Sequence, residues 1–162
     1  MKKLALLFTL VCALAFANEA KAQVQDYNMA LGLRFGYPLS VSFKTFITDP
    51  GAIEAYAGFR GYSGYGYFTI GAMYQHHFEL GDVDGLAWFV GGGASTQFWN
   101  YDFGDYGSFV LGINGVLGLD YKFANAPVNL SVDWTPTFFI GDTFIDPFGG
   151  GYGALSARYV LN

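Results

Sequence analysis

The chain has 162 residues, of which 52% are hydrophobic, 20% aromatic and 13% charged, with a formal net charge of −5. About a quarter of a soluble globular domain is charged, so this balance speaks against a disordered chain and against an ordinary soluble enzyme. The single Cys12 excludes a disulfide framework and a cysteine-ligated metal.

Residues 1–22 have the three zones of a secretory signal: Lys2 and Lys3, an apolar run from Leu4 to Phe16, then small residues ending in Ala20-Lys21-Ala22. The run is too short to cross a bilayer, which takes about 20 residues. Val11 before Cys12 is a poor setting for lipid attachment. Cleavage after Ala22 is therefore expected, leaving residues 23–162 as one domain. It removes three of the eight basic residues and one of the thirteen acids, so five and twelve remain, a net charge of −7. Such a product has no basic patch for nucleic acid.

A period of two then recurs in eight segments: 28–37, 39–48, 52–61, 66–78, 86–98, 108–123, 128–140 and 151–161. Each is long enough for a tilted membrane strand of about 9 to 11 residues. One phase carries no charged residue and is mostly apolar, as in Leu31, Leu33, Phe35; Ile53, Ala55, Ala57, Phe59; and Val128, Leu130, Val132, Trp134. The other phase carries Arg34, Lys44, Glu54, Arg60, Asp120, Lys122, Asp133 and Arg158, among Ser40, Ser42, Gln75, Asn114, Asn129, Ser131 and several glycines.

Alternation alone fits a soluble barrel with an apolar interior as well as a membrane barrel with an apolar exterior. Three features favour the membrane: girdles of aromatic residues, a polar phase sparse in charge, and connections that alternate in length. Aromatic residues of the apolar phase gather near strand ends, with Tyr74, Trp88, Tyr121 and Tyr159 on one side and Tyr37, Phe68, Phe109 and Phe138 on the other, as interfacial girdles require. The polar phase is too sparse in charge for a solvated face. Connections are expected to be compact on one side (48–51, 79–85, 124–127) and longer on the other (61–65, 97–107, 141–150), with Tyr37-Pro38 as a short exception. Because periplasmic turns are the short ones in such barrels, both termini are assigned to the periplasm.

Three stretches, Gly118-Leu119-Asp120-Tyr121-Lys122-Phe123, Leu130-Ser131-Val132-Asp133-Trp134-Thr135-Pro136 and Ala154-Leu155-Ser156-Ala157-Arg158-Tyr159, resemble the small outer-membrane barrels of Gram-negative bacteria, of the OmpX and OmpA-transmembrane-domain type. The resemblance spans the mature chain. It implies an all-β, eight-stranded antiparallel up-and-down barrel in the outer membrane, with outer-membrane lipids, lipopolysaccharide and the barrel-assembly machinery as partners. A monomer is expected. The chain ends Val160-Leu161-Asn162, where the family ends on an aromatic residue, and no peptidoglycan-binding module of the OmpA kind is expected.

An eight-stranded lumen is filled by side chains. Arg34, Lys44, Arg60, Lys122 and Arg158 are thus expected to pair with Glu54, Asp120 and Asp133, since an unpaired charge there is costly. The role assigned to them is structural, with a conducting pore as the alternative. His76, His77 and Glu79 form the one cluster suggesting a metal or a general base, but neighbours on a strand face opposite ways. No metal, cofactor or catalytic residue is assigned. Gly91-Gly92-Gly93 reads as close packing within a strand. Asp102, Asp105, Asp142 and Asp146 in the long connections could share divalent cations with lipopolysaccharide phosphates. Two other functions stay open: a lipid A-modifying barrel enzyme, which needs Ser, His and an acid at the outer rim, and a secreted soluble barrel holding an apolar ligand.

Overall fold

The computed structural model describes residues 27–81, 83–101, 109–141 and 146–161. The expected leader, residues 1–22, lies outside them. Ten strand segments run in chain order: β1 Met29–Gly36, β2 Leu39–Phe46, β3 Gly51–Tyr62, β4 Tyr65–Glu79, β5 Leu86–Tyr101, β6 Phe109–Lys122, β7 Val128–Trp134, β8 Thr137–Ile140, β9 Phe148–Gly149 and β10 Gly153–Val160. The described residues contain no helix, so none is long and apolar enough to cross a membrane.

All pairings are antiparallel, in the order β5-β4-β3-β2-β1-β10-β7-β6, and β5 pairs with β6 to close the ring. Ten segments make eight staves. β7 and β8 share one register on β6, Leu117 opposite Trp134 and Asn114 opposite Thr137, so they form one strand interrupted at Thr135-Pro136. Proline has no N–H to give a ladder, yet its carbonyl still accepts from Gly115 N at 2.9 Å. On the other flank Trp134 faces Gly153, whereas Thr137 faces Gly149. Three steps on one strand thus meet four on its neighbour, a one-residue bulge where the proline leaves the ladder unpaired. The bulge turns Phe148 outward while Tyr152 packs inward.

Closure sorts the two phases. Outward residues such as Phe59 (64% exposed) and Leu155 (55%) form an apolar mantle, while Lys44 and Ser156 (both 0%) and Arg158 (2%) face inward. A soluble barrel with an apolar interior would have the opposite arrangement.

The connections correct the expected alternation. Segment 61–65 is not a long loop: Gly61 pairs with Gly66 and Tyr62 with Tyr65, leaving Ser63-Gly64 as a two-residue turn. Gly64 takes φ +90°, a conformation open to glycine and strained for other residues. The Phe59 ring lies across the glycine pair, 3.3 Å from where a Cβ on Gly61 would sit, which shields backbone that glycine leaves bare. Residues 97–101, assigned to a loop, instead extend β5. On the opposite side the links are 47–50, 80–85 and 123–127. Connection length therefore separates the two ends less cleanly than the sequence suggests.

Candidate functional site: the lumen and its rims

β1, β2, β3, β6, β7 and β10 bring the lumen charges together. Glu54 on β3 accepts from Arg34 Nη1 at 3.3 Å, Ser42 Oγ at 2.7 Å and Gln75 Nε2 at 2.6 Å, and also from Arg158 Nη2. Arg34 grips Asp133 with both terminal nitrogens, at 2.6 and 2.7 Å, and reaches Thr135 Oγ1 at 3.1 Å. Such a two-pronged guanidinium–carboxylate pair fixes geometry as well as charge. Arg158 donates through Nε to Ser42 at 2.8 Å and through Nη1 to Ser131 at 2.8 Å and Asn129 Oδ1 at 3.2 Å.

A second group lies nearer the termini. Lys44 Nζ donates to Asp120 Oδ2 at 2.8 Å and meets His77 Nε2 at 2.8 Å. An ammonium cannot accept a hydrogen bond, so Nε2 is the acceptor and the ring proton sits on Nδ1. Asp120 also accepts from Asn129 Nδ2 at 2.8 Å and Tyr27 Oη at 3.2 Å. Arg34, Lys44 and Arg158 thereby balance Glu54, Asp120 and Asp133, three cations against three anions.

Two residues expected in this network sit elsewhere. Lys122, half-exposed at the end that carries the termini, donates to the carbonyls of Phe123 at 2.6 Å and Ala126 at 3.2 Å. Arg60 lies half-buried at the other end, its guanidinium 3.5 Å from the centre of the Tyr37 ring. At these rims Lys122 meets turn carbonyls and Arg60 lies over a ring face.

The sequence reading missed two members. His77 has the parity of Gln75 and could have been assigned inward; Tyr27, two residues before β1, carries no such signal. Its ring meets Phe46 edge-on at 5.1 Å and packs with Ala30 and Val160, filling the termini end. Apolar side chains share the interior: Met73, Phe89 and Val116 form one cluster with Tyr56 against it, and Tyr67, Trp99, Val110 and Phe139 another. Glycines make room for them. A Cβ on Gly71 would fall 2.6 Å from the Tyr56 ring, and one on Gly118 2.5 Å from Phe89. In the Gly91-Gly92-Gly93 run, a Cβ on Gly93 would lie 2.0 Å from the carbonyl oxygen of Ala72, so that strand packs closely on β4.

Outside, Tyr74, Trp88, Tyr121 and Tyr159 all lie toward the termini end. Tyr74 Oη is 3.1 Å from His76 Nδ1, Phe78 stacks on Trp88 at 4.4 Å and Tyr121 meets Phe123 at 4.8 Å. At the loop end Phe98 meets Phe109 at 5.5 Å and Phe138 meets Phe148 at 4.8 Å. Both histidines sit on β4 toward the termini, His76 outward and His77 inward, away from the rim where a lipid A enzyme would need one. Asp102, Asp105 and Asp142 fall outside the described residues, and Asp146 is exposed. Among the described residues, no three His, Cys, Asp or Glu side chains gather as a metal site.

Comparison with known proteins adds one likeness. No family model matches, and no curated protein matches. Among solved structures, Neisserial surface protein A superposes with a TM-score of 0.54 at 16% identity, covering 82% of this chain and 93% of that one. At that identity the likeness concerns the fold: a closed eight-stranded antiparallel barrel.

Proposed function

We propose that this chain is an exported, integral outer-membrane barrel with a structural or surface-interaction role, and not an enzyme. The observation that carries the reading is the inverted sorting of side chains: an apolar mantle outside and balanced, hydrogen-bonded charges inside. That is how a lipid-facing barrel is built. The two outer aromatic bands match the two interfaces of a bilayer. The lumen network braces the barrel, because any one of its charges left alone in so narrow an interior would be costly. Both termini face the periplasm, outer-membrane lipids and lipopolysaccharide surround the mantle, and the barrel-assembly machinery inserts the chain as a monomer. The structural neighbour is named as a surface protein, which agrees with a role at the cell surface.

Fractionation of expressing cells, followed by electrophoresis of boiled and unboiled membranes, tests the reading. The expected result is recovery in the outer-membrane fraction with heat-dependent mobility. Recovery as a soluble product of unchanging mobility would overturn it.

A further inference from the structure

The outer face of β6, β7 and β10 carries a groove of about 150 Å³, and the strand register sets its course. Leu119, Val132 and Leu155 lie side by side across the three strands, and so do Tyr121, Leu130 and Ala157, two residues further along each. Two rows of outward side chains thus wall a trough. Asp120 and Ser131, which lie between the rows, are buried with their side chains in the lumen, so they give the trough only backbone as its floor. Ala157 is the small residue of the second row, and it lowers the wall on β10.

The trough is oblique. Counted to the last residue of each strand at the termini end, Ala157 stands three residues from Val160, Leu130 two from Val128 and Tyr121 one from Lys122. Barrel strands tilt to the axis, so a row that follows the ladder descends from mid-barrel on β10 to the rim on β6. Its lower end therefore meets Lys122. The Lys122 ammonium lies on the turn 123–127, which joins the two walls β6 and β7, and donates to the carbonyls of Phe123 at 2.6 Å and Ala126 at 3.2 Å. An ammonium has three N–H groups, so a third is left for an anion. Arg34, Lys44 and Arg158 meet carboxylates; Lys122 meets none among the described residues.

On the membrane reading this face lies in hydrocarbon. An apolar trough that leads out of hydrocarbon to a cation at the interface matches the two parts of a phospholipid, acyl chain and phosphate. Two interstrand steps of about 4.8 Å give the chain about 10 Å of trough, and a lysine stem that lifts its charge to the interface suits the phosphate. We propose that the trough on β6, β7 and β10 binds one glycerophospholipid of the leaflet at the termini end, its acyl chain between the two rows and its phosphate on Lys122. The proposal rests on the membrane reading, and its test separates the two.

The barrel is refolded in maltoside micelles, which hold no phosphate, and its labelled Leu and Val methyls are followed by NMR as phosphatidylglycerol is added. Saturable shifts are expected at Leu119, Leu130, Val132 and Leu155, and not at Val41 on β2 or Leu111 at the loop end of β6, which are outward as well. Lys122→Gln is expected to raise the half-saturating lipid concentration about fivefold, the factor that one basic residue contributes at an anionic lipid surface. Ala157→Leu, which raises the low wall, is expected to abolish the shifts while heat-dependent mobility persists. Shifts spread evenly over all six methyl residues, an unchanged titration for Lys122→Gln, or full shifts in folded Ala157→Leu would each overturn the site and leave the membrane reading standing. Detergent contacts to the mantle methyls before lipid is added test that reading alone; their absence would overturn both.

Discussion

Glu54 shows most plainly what one side chain does in a closed lumen. It is shared by Arg34 and Arg158 and also accepts from Ser42 and Gln75, so its loss leaves Arg158 without a carboxylate and Arg34 with Asp133 alone. Breaking a buried pair by removing one partner costs about 3–5 kcal/mol. Glu54→Ala is therefore expected to lower the unfolding free energy of the micelle-refolded barrel, read from its urea midpoint and slope, by that order, and Glu54→Gln by less, because the amide oxygen still accepts. Equal midpoints for Glu54→Ala and the parent would refute the bracing role. Lys44 and Asp120 allow a stricter check, since each is wholly buried. Replacing both, as in Lys44→Met with Asp120→Leu, is expected to destabilise less than Asp120→Leu alone, because no uncompensated charge stays behind. A double-mutant cycle measures the difference.

At the scale of strands and turns, glycine and proline set the places where the ladder bends or tightens. Gly64 turns β3 into β4 at φ +90°, so Gly64→Ala is expected to cost about 1–3 kcal/mol. Gly93→Ala is a harsher change: its Cβ would meet the Ala72 carbonyl, a backbone atom that cannot swing away. Refolding yield, read as the heat-shifted band on a gel, is expected to fall more for Gly93→Ala than for Gly64→Ala. The reverse order would mean that β4 and β5 do not pack as closely as described. Strand phase was legible from the sequence in nearly every segment, because a buried face imposes a strict period of two. The end of β3 and the bulge opposite Pro136 were not. Residues 61–65 read as a loop until the pairing of Gly61 with Gly66 and the Phe59 ring across them are seen.

As a whole molecule the barrel is filled rather than hollow. Polar pairs and apolar clusters succeed one another along the lumen, so the purified protein is expected to give no single-channel current above background in planar bilayers. Asp133→Ala is expected to lower the unfolding temperature while leaving that baseline unchanged. Steady unitary currents from the parent protein would overturn the filled-lumen description. Tyr27 contributes here as well, closing the termini end from outside the strand pattern.

Composition and a period of two sufficed to assign the barrel class, to sort residues into two phases and to group Arg34, Lys44, Glu54, Asp120, Asp133 and Arg158 on one of them. Those properties are local, since neighbours on a strand point opposite ways whatever the strand pairs with. Which phase faced outward, which charge met which, and why Lys122 and Arg60 sat at the rims depended on closure. Closure brings β1 against β10 and β5 against β6. It thereby places Arg34 within reach of Asp133, 99 residues further along the chain, a distance that no local pattern encodes.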